Sequence, residues 1–204
     1  MAATAAPDNR IKHIFMIIGI TGLSGAGKDT VAEYLEQKGF AHASLSDVIR
    51  EEAENQGIEF TRENLIRLGN ELRKARGGEY LAKGAVEKVQ ASGVKNLVLT
   101  SIRHPAELEF FRKLPDFKLW EVSAPQDLRW QRAKNKLNSE DVGDFEDFKK
   151  WESFENSKNE NRQQLSAVGS KADAEIINDK SLAELHRVVD ELLEEEIYKL
   201  NQEK

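Results

Sequence analysis

Gly22-Leu23-Ser24-Gly25-Ala26-Gly27-Lys28-Asp29-Thr30 decides the reading of this chain. Before it stands IFMIIGIT, residues 14–21, a short run of large and β-branched apolar residues that fits a strand covered on both faces. After it Val31, Tyr34 and Leu35 fall at helical spacing up to Gly39. Strand, glycine-rich turn and helix in that order, with G-x-x-x-x-G-K in the turn, form a phosphate-binding loop. Glycines let the backbone turn tightly and aim its N–H groups inward, and the helix behind adds the positive end of its dipole. Lys28 brings a full charge for the β- and γ-phosphates of a nucleoside triphosphate.

Outward from the loop, strands alternate with helices. Residues 40–45, 96–100, 118–122 and 175–177 read as further strands. Helices are expected from Ser46 or Asp47 as N-cap to Gln56, from Thr61, over residues 80–90, over residues 104–114 with Pro105 in the first turn, over residues 125–136, and over residues 182–200. Such alternation makes βαβ units and a mostly parallel sheet of about five strands. Ligands of such a sheet sit beyond the carboxyl ends of its strands. Residues 1–10 are expected to be a frayed leader and residues 201–204 a tail around one domain over 11–200.

The 204 residues suit one domain, and 39% hydrophobic with 32% charged residues reads as soluble and globular. The formal charge of −6 argues against a general nucleic-acid binder. With no cysteine there is no disulfide, no thiolate zinc site and no cysteine nucleophile. No apolar run reaches membrane-spanning length, and the N-terminus lacks a signal peptide's apolar core, so no membrane and a cytoplasmic location are expected. Residues 139–160 carry eight acidic and three basic residues, with Phe145, Phe148, Trp151 and Phe154 recurring among them. They read as an amphipathic helix whose acids form an exposed face, fold against the lysines of the preceding helix, or recruit a partner.

The segment GITGLSGAGKDTVAEYL resembles the opening of dephospho-CoA kinases and of the wider nucleoside monophosphate kinase group. SLSDVIREEA (residues 44–53), TSIRHPAE (100–107), SAPQDLRWQRAK (123–134) and ADAEIINDKSLAEL (172–185) resemble the archaeal-type nucleotide kinases grouped with dephospho-CoA kinase. The resemblance covers most of the chain. It implies the three-layer α/β/α sandwich of P-loop NTPases, with a helical acceptor-binding excursion over about 46–92 and a lid-like region over about 126–165. It also implies an ATP-dependent phosphotransferase with Mg²⁺, acting on a small phosphorylated acceptor. A nucleoside or deoxynucleoside monophosphate ranks first. A dephospho-CoA kinase and a non-catalytic ATP-binding module are the alternatives.

On that resemblance, residues Gly22, Leu23, Ser24, Gly25, Ala26, Gly27, Lys28, Asp29 and Thr30 hold the nucleotide. Arg50 and Arg103 grip the acceptor's phosphate, and Asp47 stands beside it as the candidate base for a hydroxyl acceptor. Arg129 and Arg132 match lid arginines that close over the transferring phosphoryl group, so Lys28, Asp47, Arg103, Arg129 and Arg132 form the catalytic set. Asp29 stands where a Ser or Thr usually touches the metal, so Asp29 or Thr30 is the Mg²⁺ ligand. Two departures stand out. Thr100 ends the third strand where an acid is common, and the lid has Lys134 and Lys136 where arginines are denser.

Each residue also has a plainer role. Asp29 suits the positive first turn of a helix, Asp47 suits an N-cap, and Arg50 can pair with Glu54. Arg67, Arg73, Arg129 and Arg132 suit a solvated helix face. His104 suits a helix start before Pro105, and Trp120, Trp130 and Trp151 suit packing, with Trp130 alternatively placed to stack on a base.

Overall fold

The computed structural model describes residues 16–90, 96–136, 143–155 and 163–202. The expected leader, the first two residues of the first apolar run and the outer parts of the acidic stretch lie outside the described residues. The elements in chain order are β1 Met16–Thr21, α1 Lys28–Gln37, β2 Ala41–Ser44, α2 Leu45–Asn55, α3 Arg62–Arg76, α4 Tyr80–Gln90 and β3 Asn96–Thr100. There follow α5 Pro105–Phe111, β4 Phe117–Ser123, α6 Gln126–Lys136, α7 Phe145–Glu155, α8 Leu165–Gly169, β5 Ala174–Ile177 and α9 Leu182–Gln202.

Five strands form one sheet in the order β2-β3-β1-β4-β5, and every pairing is parallel. All six residues of central β1 are buried. Its side chains alternate, as the period of two demands. Ile17 joins Leu45, Leu81, Leu99 and Phe111 on the face covered by α2 to α5. Met16, Ile18 and Ile20 join Val31, Leu35, Leu185 and Val189 on the face covered by α1 and α9. Each fully buried Ile or Leu contributes about 1.5–3 kcal/mol. Helices therefore flank both faces of the parallel sheet that the strand–helix alternation predicts, and the whole has the three-layer P-loop NTPase architecture that the resemblance implies.

Three expectations are corrected. The cap of α2 is neither Ser46 nor Asp47. It is Ser44, the last residue of β2, whose Oγ accepts from Ser46 N at 3.3 Å. The strand runs straight into the helix without a loop, so the cap belongs to both. The last helix, expected to end at Leu200, continues to Gln202. Between the acidic stretch and β5 the short helix α8 appears, with Leu165 and Val168 buried. Five residues are too few to show a helical period. The expected helix start at His104 is present as a capping box: His104 Nδ1 accepts from Ala106 N, and Glu107 returns to the His104 N–H.

No helix among the described residues is long and apolar enough to cross a membrane.

Candidate functional site

The loop between β1 and α1 lies at the carboxyl end of the sheet. Gly22 has φ 136°, and a Cβ there would stand 2.1 Å from Val122 O in β4. Gly25 has φ 77°, and a Cβ there would stand 2.2 Å from Arg129 O in α6. Neither position admits a side chain, for conformation and for space. Ala26 N donates to Leu23 O at 3.2 Å, and Lys28 Nζ folds back to Leu23 O at 2.9 Å. The N-cap of α1 is Gly27, which offers no side-chain cap. A ten-residue helix thus begins at the loop, with a lysine in its first turn and a glycine as its N-cap. Asp29 is exposed in that turn and Thr30 is half-buried. Among the described residues no group of three or more His, Cys, Asp or Glu side chains is placed to hold a metal ion.

Asn178, just past β5, ties the loop to its surroundings. Its Nδ2 donates to Ala26 O at 2.8 Å, its N–H donates to Ser123 O at 2.8 Å, and its carbonyl accepts from Arg132 Nη1 at 2.9 Å. Arg132 thus reaches the strand ends instead of lying in water. Arg129 is buried as well: Nε donates to Ala124 O at 2.9 Å and Nη1 approaches Ser24 O of the loop at 3.5 Å. Its ion-pair partner is Glu152 of α7, itself buried and bonded to Gln126 Nε2 at 2.6 Å. The acidic helix is therefore not simply an exposed face. Phe148 and Glu152 turn inward onto α6, while Asp144 and Glu146 stay exposed. Trp130 packs 5.4 Å from Phe145 beneath α7, and Trp120 is core. On its other side α7 presents Trp151 to Arg62 of α3 at 5.4 Å.

Beside the loop opens a cavity of about 570 Å³. Leu45, Ser46, Ile49 and Arg50 of α2 form one wall, and Arg62, Leu65, Ile66 and Arg73 of α3 another. Ser101 and Arg103 enter from the end of β3, Ser24 from the loop, and Gln163 closes the side. Four arginines thus line one cavity that borders the loop.

Arg103 is held at several points. Its N–H donates to Glu107 Oε2 at 2.8 Å, its carbonyl accepts from Gln164 N at 2.8 Å, and its Nη1 donates to Gln163 Oε1 at 3.2 Å. Glu107 also accepts from Arg73 Nε at 2.9 Å, so one buried carboxylate fixes both arginines. Arg73 is not a surface residue of α3, as its charge had implied, but part of the cavity wall. Arg67 does face solvent, bonded to Asn64 at 3.3 Å and near Glu71 at 3.9 Å. Arg50 lines the cavity and pairs with Asp47 at 2.8 Å, where the spacing had offered Glu54. Asp47 is exposed and lies outside the lining. Thr100, in place of an acid, bonds His42 Nε2 at 2.8 Å across the β2–β3 pair.

A family model described as an AAA domain matches residues 18–163. A UPF0200 protein of Thermococcus gammatolerans is 35% identical over 191 residues, which cover 91% of this chain and 98% of the relative. The chain belongs to the AAA domain family and to the UPF0200 family. Among solved structures, TT1252 from Thermus thermophilus superposes with a TM-score of 0.58 at 22% identity, covering 89% of this chain and 98% of that one. A shikimate kinase from Bacteroides thetaiotaomicron superposes with a TM-score of 0.56 at 16% identity, covering 88% and 98%. At those identities the likeness is one of fold, and the fold of this UPF0200 chain is that of P-loop kinases.

The sequence missed Asn178, Gln163, Glu107, Arg62 and Ser101. Position alone pointed to two of them: Asn178 and Ser101 directly follow strands, where a parallel sheet places its ligands.

Proposed function

We propose that this chain is an ATP-dependent small-molecule kinase that transfers the γ-phosphoryl group to a phosphate-bearing, nucleotide-type acceptor. The observation that carries the reading is the cavity in which Arg50, Arg62, Arg73 and Arg103 line a space bordered by Ser24 of the loop. The fold shared with a shikimate kinase supports phosphoryl transfer in general.

In this reading residues 22–30 hold ATP, with Lys28 on the β- and γ-phosphates and the first turn of α1 behind them. The donor set fits a polyphosphate: one ammonium and a helix N-terminus without a side-chain cap. Mg²⁺, when bound, neutralises the phosphate oxygens. Asp29 and Thr30 are hard oxygen donors of the type it takes, one or two from protein beside the phosphates. Arg50 and Arg103 bind the acceptor phosphate as planar forks. A phosphate oxygen of the acceptor attacks the γ-phosphorus as the bond to the β-phosphate oxygen breaks, leaving ADP and a newly formed diphosphate. Arg129 and Arg132 stabilise the charge that spreads over the transferring group.

A phosphate acceptor needs no strong base, and Glu59 is the one carboxylate among the described residues of the lining. Asp47 acts through Arg50, which it orients. A hydroxyl acceptor such as dephospho-CoA would need a base facing the cavity, and Glu59 is then the candidate. The non-catalytic alternative has one observation in its favour: Glu152 holds Arg129 next to the loop.

A coupled ADP-release assay over nucleoside and deoxynucleoside monophosphates and dephospho-CoA tests the reading. Turnover with a monophosphate, lost in Lys28→Ala, is expected. Tight ATP binding with no turnover of any acceptor overturns it in favour of the non-catalytic module.

A further inference from the structure

We infer that Ser101 is a specificity-determining residue whose hydroxyl hydrogen-bonds the ligand of the arginine-lined cavity. This deepens the proposed function and rests on that cavity being the acceptor site.

Two non-glycine residues among those described have positive φ, Asp116 at 55° and Ser101 at 65°. Asp116 is exposed, and Asp tolerates the left-handed region through local hydrogen bonds. Ser101 is different. It directly follows β3, where the chain leaves the sheet and turns toward Arg103, and it lines the cavity. A β-carbon in this conformation is strained, and glycine would relieve the strain without loss of any backbone hydrogen bond. Strain of this kind persists where the surroundings enforce it, and it clusters at ligand sites.

The surroundings here aim the hydroxyl. Ser101 Oγ lies 3.2 Å from Ser44 Oγ, the N-cap of α2. Ser44 Oγ also accepts from Ser46 N, and either hydroxyl of the Ser44–Ser101 pair can donate to the other. With Ser44 as donor the Ser101 proton is left for a ligand oxygen, and with Ser101 as donor its remaining lone pair is left for a ligand N–H or O–H. The cavity then offers one neutral hydroxyl held in place beside the guanidinium groups of Arg50 and Arg103. A neutral hydroxyl of fixed position discriminates between ligands of equal charge, which the arginines alone do less well.

Two substitutions separate this role from a structural one. Ser101→Gly removes strain and hydroxyl together. Ser101→Ala removes the hydroxyl and keeps the strained β-carbon. Binding is read by isothermal titration with AMP, CMP, GMP, UMP and dephospho-CoA as probes, the loop being saturated with a non-hydrolysable ATP analogue. Ser101→Gly is expected to melt about 2–4 °C above the parent protein. Both variants are expected to bind the tightest probe about 5–10-fold more weakly, at unchanged affinity for the ATP analogue. The inference is overturned if Ser101→Gly binds that probe within about twofold of the parent protein. It is equally overturned if the glycine variant melts no higher, or if the parent protein binds none of the probes. Turnover of the tightest probe is measured separately. Binding that both substitutions weaken, without turnover in the parent protein, sustains the role of Ser101 and removes the kinase reading.

Discussion

Arg73 Nε donates to Glu107 Oε1 across 2.9 Å, and both side chains are out of contact with solvent, at 1% and 0% exposure. The carboxylate's other oxygen accepts from the N–H groups of Arg103 and His104 at 2.8 and 3.0 Å. A carboxylate with three good donors is well compensated for its lost hydration. Removing one partner strands the other charge in a medium that cannot solvate it. Glu107→Ala is therefore expected to lose about 3–5 kcal/mol of unfolding free energy. The double variant Arg73→Met/Glu107→Leu should recover most of that loss, because the unpaired charge is gone. Urea titrations of the single and double variants test this, and a double variant no more stable than Glu107→Ala would contradict it.

Asn178 carries the second prediction. Its side chain bonds Ala26 O, 152 positions away, and is buried. Asn178→Ala leaves that carbonyl without its side-chain donor and removes the tie between β5 and the loop. A loss of about 1–3 kcal/mol is expected, accompanied by weaker ATP binding. Thermal melts paired with titration of a fluorescent ATP analogue check both readouts. Lowered stability at unchanged nucleotide affinity would show that the tie serves the fold alone.

The loop was legible because its signal is local: three glycines and a lysine between an apolar strand and a helix need no distant partner to be recognised. The parallel sheet followed from alternation, since every crossover contains a helix, whereas the strand order β2-β3-β1-β4-β5 came only from the structure. What stayed hidden depends on distance or on context. Arg73 reads as solvated helix charge because its partner Glu107 is 34 residues further on and packs behind it only in the folded chain. Glu152 reads as one acid of an exposed run, yet helical spacing from Phe148 puts it on the inward face. Ser44 was hidden as a cap because β2 and α2 share it.

Glu152 bears on the nucleotide site as well. It competes for Arg129, whose guanidinium also approaches Ser24 O of the loop. Glu152→Gln keeps the shape and the bonding capacity toward Gln126 but removes the charge. Stability is expected to fall by about 1–3 kcal/mol, since Arg129 stays buried with less compensation. Under the proposed function, ATP affinity should rise at the same time by about 3–10-fold, as the arginine turns to the phosphates. Denaturant titration and nucleotide binding, measured on one preparation, read the two changes. If affinity falls together with stability, Glu152 orients Arg129 instead of competing for it.

Glu121 gives the pH dependence a definite sign. It lies in β4 with Glu175 opposite it in β5, and a Cβ on Gly169 would stand 2.2 Å from its Oε1. Burial, and secondarily the neighbouring Glu175 charge, push its carboxyl above the ordinary 4.5. The folded protein therefore holds this proton more tightly than the unfolded chain does. Above the raised value both states are ionised, and folding carries the whole cost of burying the charge. As pH falls from the raised value toward 4.5, the folded state takes up its proton first and the cost disappears. Glu121→Gln removes a charge that is present at neutral pH and absent in acid. The variant should thus exceed the parent protein in urea midpoint at pH 7, and the gap should close as the pH approaches 4. Glu175→Gln should narrow the same gap, because it removes only the secondary repulsion. Midpoints measured in steps from pH 4 to pH 8 decide the matter: a gap that does not change with pH would mean that Glu121→Gln acts through packing and not through charge.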